Sequence, residues 1–224
     1  MTTGAAIGQV LDAWALSAAM HEPEPAMSEA DLERAERGLG RQLPADARAV
    51  YRMANGGAFL QGNLMLYPLL SAGADETLAL TTAAGLLRSW GWSVADELVV
   101  FGDDGSDDLF GLWLPADGPA RGLVVQMAEG FDDASLAVVG TDLAGFLRAW
   151  TAFYVLVAGD FDGSAAALDV LGVPPALRAA GESASEDELR ALLAWASPGL
   201  PDSRPDPYAR GLTAGQVRAL AEAP

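Results

Sequence analysis

Apolar residues recur along the chain in two rhythms, and the change between them divides it. Residues 5–20 form an Ala-rich stretch with Ile7, Leu11, Trp14 and Leu16 as its larger apolar members. This predicts a helix, ended by the prolines of HEPEPAM. Ser28 opens a second helix, with Asp31 three residues on in a weaker form of the Ser-x-x-Glu capping box. Leu32, Ala35 and Leu39 give that helix one apolar stripe. Pro44 suits the first position of a third helix, and Asp46 its first turn, where a carboxylate favours the helix dipole. Ala47, Val50, Tyr51 and Ala54 form its buried stripe, and Asn55-Gly56-Gly57 tolerates the left-handed backbone of a C-cap.

The middle of the chain shifts to short apolar runs between turn residues. NLMLYPLL reads as a strand ending at Pro68, and Thr77 to Trp90 as a helix bearing Leu78, Ala79, Leu86 and Leu87. Residues 97–102 and 108–114 read as a β-hairpin around a polar turn, and RGLVVQM and SLAVVG as two further strands. Thr141 can cap the next helix, whose apolar face holds Leu143, Phe146, Leu147, Trp150 and Phe153. The expected architecture is α+β, a mainly antiparallel sheet of about five strands flanked by helices over residues 28–158. An N-terminal helix and proline-containing loop, 1–27, precede it. A helical appendage with a Pro-rich loop, 159–224, follows, with helical pieces near 164–171, 174–180, 186–196 and 213–222.

Composition removes most catalytic chemistries. The 224 residues include no Cys and one His, and all 13 basic residues are Arg. Thiol nucleophiles, Cys-ligated metals and lysine Schiff bases are therefore excluded, the single His removes most His-based chemistry, and no cofactor is implied. A net charge of −18 argues against nucleic-acid binding, because a phosphate backbone would be repelled. The N-terminus lacks the basic region of a signal peptide, and the apolar stretch Trp150 to Ala158 falls far below the roughly 20 residues that cross a bilayer. The expectation is a cytosolic protein without a membrane segment.

Charge is densest between residues 96 and 133, where ten acids stand against Arg121 alone. A solvated hairpin turn and an anionic face that steers a cationic partner both fit that density. DDGSDD lacks the ligand spacing of a calcium loop, so no metal is assigned to it. Asp160-x-Asp162-Gly163-Ser164 after an apolar run resembles the first motif of haloacid-dehalogenase-type phosphatases, but no Lys exists to steady a phosphoryl group and the run before it continues a helical pattern. Acids are plentiful enough for a carboxylate-based hydrolase, yet nothing selects a pair. His21 reads as an exposed bystander in a proline-flanked loop, and Trp90 and Trp92 as core or interface residues.

The order of these features resembles the SUKH superfamily, which holds a yeast cell-wall-synthesis regulator and many bacterial immunity proteins. Leu43-Pro44, Asp46 and Asn55-Gly56-Gly57 match its opening pattern of Leu-Pro, an acid two positions after the proline, and a helix ending in Asn-Gly-Gly. VVFGDDGSDDLFGLWL, with Gly105 in its turn, is similar to the family's strand–Asp-Gly turn–strand, and LAVVGTDLAGFLRAW to its closing strand and Phe-Leu helix through Phe146 and Leu147. Gln126-Met127-Ala128-Glu129 departs from an acidic or aromatic patch the family often carries. The resemblance implies an α+β fold, no catalysis, and often the neutralisation of a toxin. A basic, nuclease-like toxin domain would be drawn to the acidic surface, with Asp103, Asp104, Asp107, Asp108, Glu129, Asp132 and Asp133 as candidate contacts. A regulatory scaffold for an endogenous protein, and a hydrolase or phosphatase built on Asp160 and Asp162, are the alternative readings. Oligomeric state is left open.

Overall fold

The computed structural model describes residues 3–70, 85–89, 91–106, 108–115, 122–128, 136–159, 163–178, 185–201 and 211–222. Seven antiparallel strands pair in sequence order: β1 (Glu22–Pro23), β2 (Gly57–Phe59), β3 (Leu64–Leu66), β4 (Leu98–Asp103), β5 (Leu109–Trp113), β6 (Leu123–Met127) and β7 (Ala137–Gly140). Helices α1 (Thr3–Leu16), α2 (Glu29–Leu39) and α3 (Ala45–Met53) lie before the central strands. After them come α4 (Leu143–Val157), α5 (Ser164–Leu171), α6 (Glu186–Ala196) and α7 (Ala214–Glu222). The α+β expectation holds, with seven strands in place of about five. β1 and β2 are the additions. Two and three residues long, with a proline and a glycine among them, they have no alternation to read; tertiary pairing creates them. The expected helix at 77–90 falls largely outside the described residues, which retain a helical segment at 85–89.

Strands β4 to β7 are buried along nearly their whole length, because the sheet is covered on both faces. One face carries Val99, Phe101, Phe110, Leu112, Val124 and Val139 and packs with α1, α3 and α4 into the larger core. Phe110 is central there, its ring 4.8 Å from Phe146 and 5.1 Å from Trp150. The opposite face carries Leu98, Val100, Trp113, Leu123, Val125 and Val138, covered by Trp92, Val94, Val217 and Ala221.

Helix α4 is enclosed by more than the predicted stripe, since Ala144, Ala149, Thr151, Ala152 and Val155 are buried too. Its outer side receives α1, α5 and α6. Trp14 donates its indole N–H to Thr151 Oγ1 at 2.9 Å. Arg148 donates to Leu171 O at 2.7 Å, with its guanidinium carbon 4.1 Å from the Trp195 ring centroid. A charge on α4 thus fastens α5 and α6, with no carboxylate beside it among the described residues. α4 is capped by Asp142, whose Oδ1 accepts from the Gly145 N–H at 2.7 Å; the cap expected at Thr141 belongs to its neighbour. No helix among the described residues is long and apolar enough to cross a membrane.

Candidate partner-binding surface

In the β4–β5 turn the described residues, 103–106 and 108, are tied by hydrogen bonds among themselves and to Tyr67. The Asp104 N–H donates to Asp108 O at 3.2 Å. Asp103 uses both carboxylate oxygens: Oδ1 accepts from the Gly105 N–H at 2.7 Å, and Oδ2 from the Tyr67 hydroxyl at 2.5 Å. Asp104 Oδ1 accepts from the Ser106 N–H at 3.0 Å and the Ser106 hydroxyl at 2.6 Å. Such Asx turns let short acidic side chains satisfy the backbone they bend. Gly105 has φ +80°, and a Cβ there would fall on the Gly62 carbonyl oxygen, so glycine lets the turn lie against Gly62 and Asn63. Burial, then the bond to Asp103, raises the Tyr67 pKa; burial, then the charge of Asp104, raises that of Tyr154. Both phenols therefore stay protonated at neutral pH, and Tyr67 is a steady donor to Asp103.

Of the predicted contact residues, the structure places Asp103, Asp104 and Asp108 together at this hairpin end, each half-buried. Asp107, Glu129, Asp132 and Asp133 lie outside the described residues. The strand register puts Met127 opposite Leu109, so β6 ends at the same sheet end as the turn. Gln126 donates to Asp108 Oδ2 at 2.6 Å across that pairing. Asp103 belongs to the turn's scaffold; Asp104 engages only one of its oxygens among the described residues.

The residues of the opening motif hold the frame behind the turn. Asp46 is 2% exposed, its Oδ1 accepting from the Ala47 N–H at 2.9 Å and its Oδ2 from the Ala144 N–H at 3.0 Å. It therefore closes the N-terminus of α4 as well as serving the first turn of its own helix. Burial pushes the Asp46 carboxyl up, with Asp142 adding to that, against the two N–H donors that pull it down. Pro44 stands one position before the helix, at the N-cap. Leu43 is buried, and its N–H is accepted by Glu36 Oε1 at 3.0 Å. Glu36 also pairs with Arg48 at 2.5 Å; sequence reasoning missed this buried acid, since its partners lie beyond its own helix, in the segment before α3 and on α3 itself.

Asn55, Gly56 and Gly57 do not form the expected left-handed cap. α3 ends at Ala54 in extended backbone. Asn55 instead accepts from the Leu69 N–H at 2.9 Å and donates to Leu70 O at 2.7 Å. Gly56 and Gly57 have φ +104° and +125°. A Cβ on Gly56 would meet Leu66 O at 2.8 Å, and one on Gly57 would meet Pro23 Cα at 2.9 Å. These glycines let strands β1 to β3 approach.

A model of the SMI1 / KNR4 family (SUKH-1) matches residues 26–149, more than half of the chain. The chain belongs to this family. No curated protein matches it. The SMI1 / KNR4 match takes in Leu43, Pro44, Asp46, Asn55 to Gly57, Gly105, Phe146 and Leu147, so the buried tie from Asp46 to α4 lies wholly within it. It leaves out α1, His21 and the helices after α4. The phosphatase alternative needs a strand before its first aspartate, but Val155 to Val157 belong to α4; Asp160 and Asp162 lie outside the described residues.

His21, outside the family match, is no exposed bystander. Its Nδ1 accepts from the Leu60 N–H at 3.2 Å, and Nε2 lies 3.0 Å from Ser17 Oγ, which donates to Ala13 O. One tautomer satisfies this relay, with the proton on Nε2. The Trp14 and Phe59 rings flank the imidazole. Burial lowers its pKa from 6.5 to about 4. A depressed folded pKa gives stability that is present above pH 6.5 and lost as pH falls toward 4. Between pH 7 and 5, the unfolding free energy is expected to drop by about 1 kcal/mol, allowing for partial exposure of the ring. Urea titrations at the two pH values, with His21→Gln showing a flatter response, check this.

Proposed function

We propose that this protein is a binding module without chemistry of its own, an immunity protein that neutralises a basic, nuclease-like toxin domain through the acidic hairpin end. The observation that carries the reading is the β4–β5 turn, where Asp104 and Asp108 stand half-buried on a backbone held by Asp103, Tyr67 and Gly105. Carboxylates held by hydrogen bonds have less conformational entropy to lose on binding, and the net charge of −18 adds long-range attraction for a cationic partner. Family membership supports a protein partner.

The test is capture from the native cell lysate at low and then rising salt, followed by association kinetics with what is recovered. A basic protein released progressively as salt rises is the expected catch. The variant Asp104→Asn/Asp107→Asn/Asp108→Asn, which keeps Asp103 for the turn, should slow association about tenfold at low salt with an unchanged unfolding midpoint. Unaltered association would remove this turn from the interface. Recovery of acidic proteins alone would favour the scaffold reading.

A further inference from the structure

A cavity of about 340 Å³ lies beside the acidic turn, and its walls come from two parts of the chain. Ala19, Met20, His21 and Glu22 belong to the segment after α1, outside the SMI1 / KNR4 match. Ala58, Gln61 and Gly62 belong to β2 and the bend that follows it, inside the match. Ala19, Glu22 and Gln61 are exposed while Met20 is buried, so the cavity opens to solvent over an apolar floor. A Cβ on Gly105 would fall on the Gly62 carbonyl oxygen. Gly62 thus stands between the cavity and the turn that carries Asp104.

The polar groups of the cavity are of one kind. Glu22 is the charged residue in its lining, and its carboxylate has no hydrogen bond or ion pair among the described residues. The Gln61 side-chain amide likewise has no partner among them. His21 is wall and not ligand, because Leu60 and Ser17 already occupy its two ring nitrogens. Leu60 and Gln61, with φ +54° and +58°, are the non-glycine residues in left-handed backbone among the described residues. Such backbone is costly and persists where its surroundings impose it. Here His21 accepts the Leu60 N–H, and Asn63 donates its side-chain amide to Leu60 O at 2.8 Å. The imposed bend keeps Gln61 at the mouth of the cavity.

These walls match a long side chain with a cationic head. Its aliphatic stem lies against Met20, Ala19 and Ala58, and its head meets Glu22 and the Gln61 amide oxygen. A guanidinium suits them better than an ammonium, because its planar fork gives two parallel N–H bonds to a carboxylate and keeps further donors for an amide. We propose that the cavity is the anchor pocket of the partner-binding surface and receives an arginine side chain of the cationic partner, with Glu22 as counter-ion and Gln61 as second acceptor. This inference rests on the reading of the acidic turn as the partner's landing surface and gives the two sites different tasks. Charge at the turn speeds encounter, whereas a seated arginine slows departure. Residues 19–22 lie outside the family match, so the pocket selects a partner by what this chain adds to the shared fold.

The first test needs no partner. Amide proton–nitrogen correlation spectra of the full chain are titrated with N-acetyl-arginine methylamide and with its neutral isostere, N-acetyl-citrulline methylamide. The arginine probe should give saturable shifts at Glu22, Ala58, Gln61 and Gly62, binding about fivefold more tightly than the citrulline probe. Glu22→Gln should remove that preference, and Ala19→Trp should fill the cavity and abolish the shifts. Both positions are exposed, so the urea midpoint should not move. Shifts that do not saturate, or equal affinity for the two probes on the unaltered chain, overturn the proposal.

With the basic protein recovered from the lysate, Glu22→Gln should speed dissociation about fivefold and leave association nearly unchanged. That is the reverse of what the triple Asn variant of the acidic turn should do. Unchanged dissociation overturns the anchor even where the triple variant slows association. Unaltered association of the triple variant, together with faster dissociation of Glu22→Gln, would support the pocket and remove the turn.

Discussion

Replacing Asp46 by Ala is expected to lower the unfolding free energy by about 2–4 kcal/mol, because it strands two buried N–H donors. The donors are those of Ala47 and Ala144, which lie on different helices. Ala144 is completely buried, so water cannot replace the lost acceptor. Asp46→Asn keeps one carbonyl oxygen but turns an amide toward the other donor, and should cost about half as much. Urea unfolding of the three proteins checks the order. Loss at the Ala144 end should also appear as faster hydrogen exchange in the first turn of α4, far in sequence from the substitution. An Ala variant as stable as the parent would mean that Asp142 alone is a sufficient cap for that helix.

Gly57→Ala is expected to destabilise by about 3 kcal/mol or more, since its backbone has a sign of φ that side chains resist and its Cβ site is occupied. The new methyl would fall on the Glu22 carbonyl oxygen and 2.9 Å from Pro23 Cα, pushing β1 off the sheet. Gly40→Ala is the matched control. Gly40 also has positive φ, +67°, as the αL cap of α2, but nothing lies within 4 Å of a Cβ there. Its cost should be that of the left-handed backbone alone, about 1 kcal/mol. The difference between the two variants measures the close approach of β1 and β2. Because β1 follows His21 directly, Gly57→Ala should also flatten the stability change between pH 7 and 5 that the burial of His21 produces.

Much of the frame was legible where a local rule and a buried face coincide. Ser28 caps α2 as read, accepting from the Asp31 N–H, and Leu32 and Ala35 are buried. Ala47, Val50, Tyr51 and Ala54 are all buried as their spacing predicts. The hairpin strands expected at 97–102 and 108–114 are observed at 98–103 and 109–113. His21, Asp46 and Gly57 were misread or half-read for one shared reason. Each was judged by its neighbours in sequence, while its partners are Leu60, Ala144 and Glu22. The candidate site divides the same way. Its acidity was visible in DDGSDD, but nothing in that string separates Asp103, committed to Tyr67 and Gly105, from Asp104.

By itself the sequence determined the helices through their apolar stripes, the Ser28 cap, the central hairpin, the acidity of its turn and the family to which the chain belongs. Periodicity, caps and charge are properties of adjacent residues, and they survive without any knowledge of the fold. Only the tertiary structure decided that β1 and β2 exist, that Asp46 closes a helix beginning almost a hundred residues later, and that residues 211–222 cover the second face of the sheet. Those features depend on which distant backbone groups are left unpaired and which apolar faces remain open once the chain has packed.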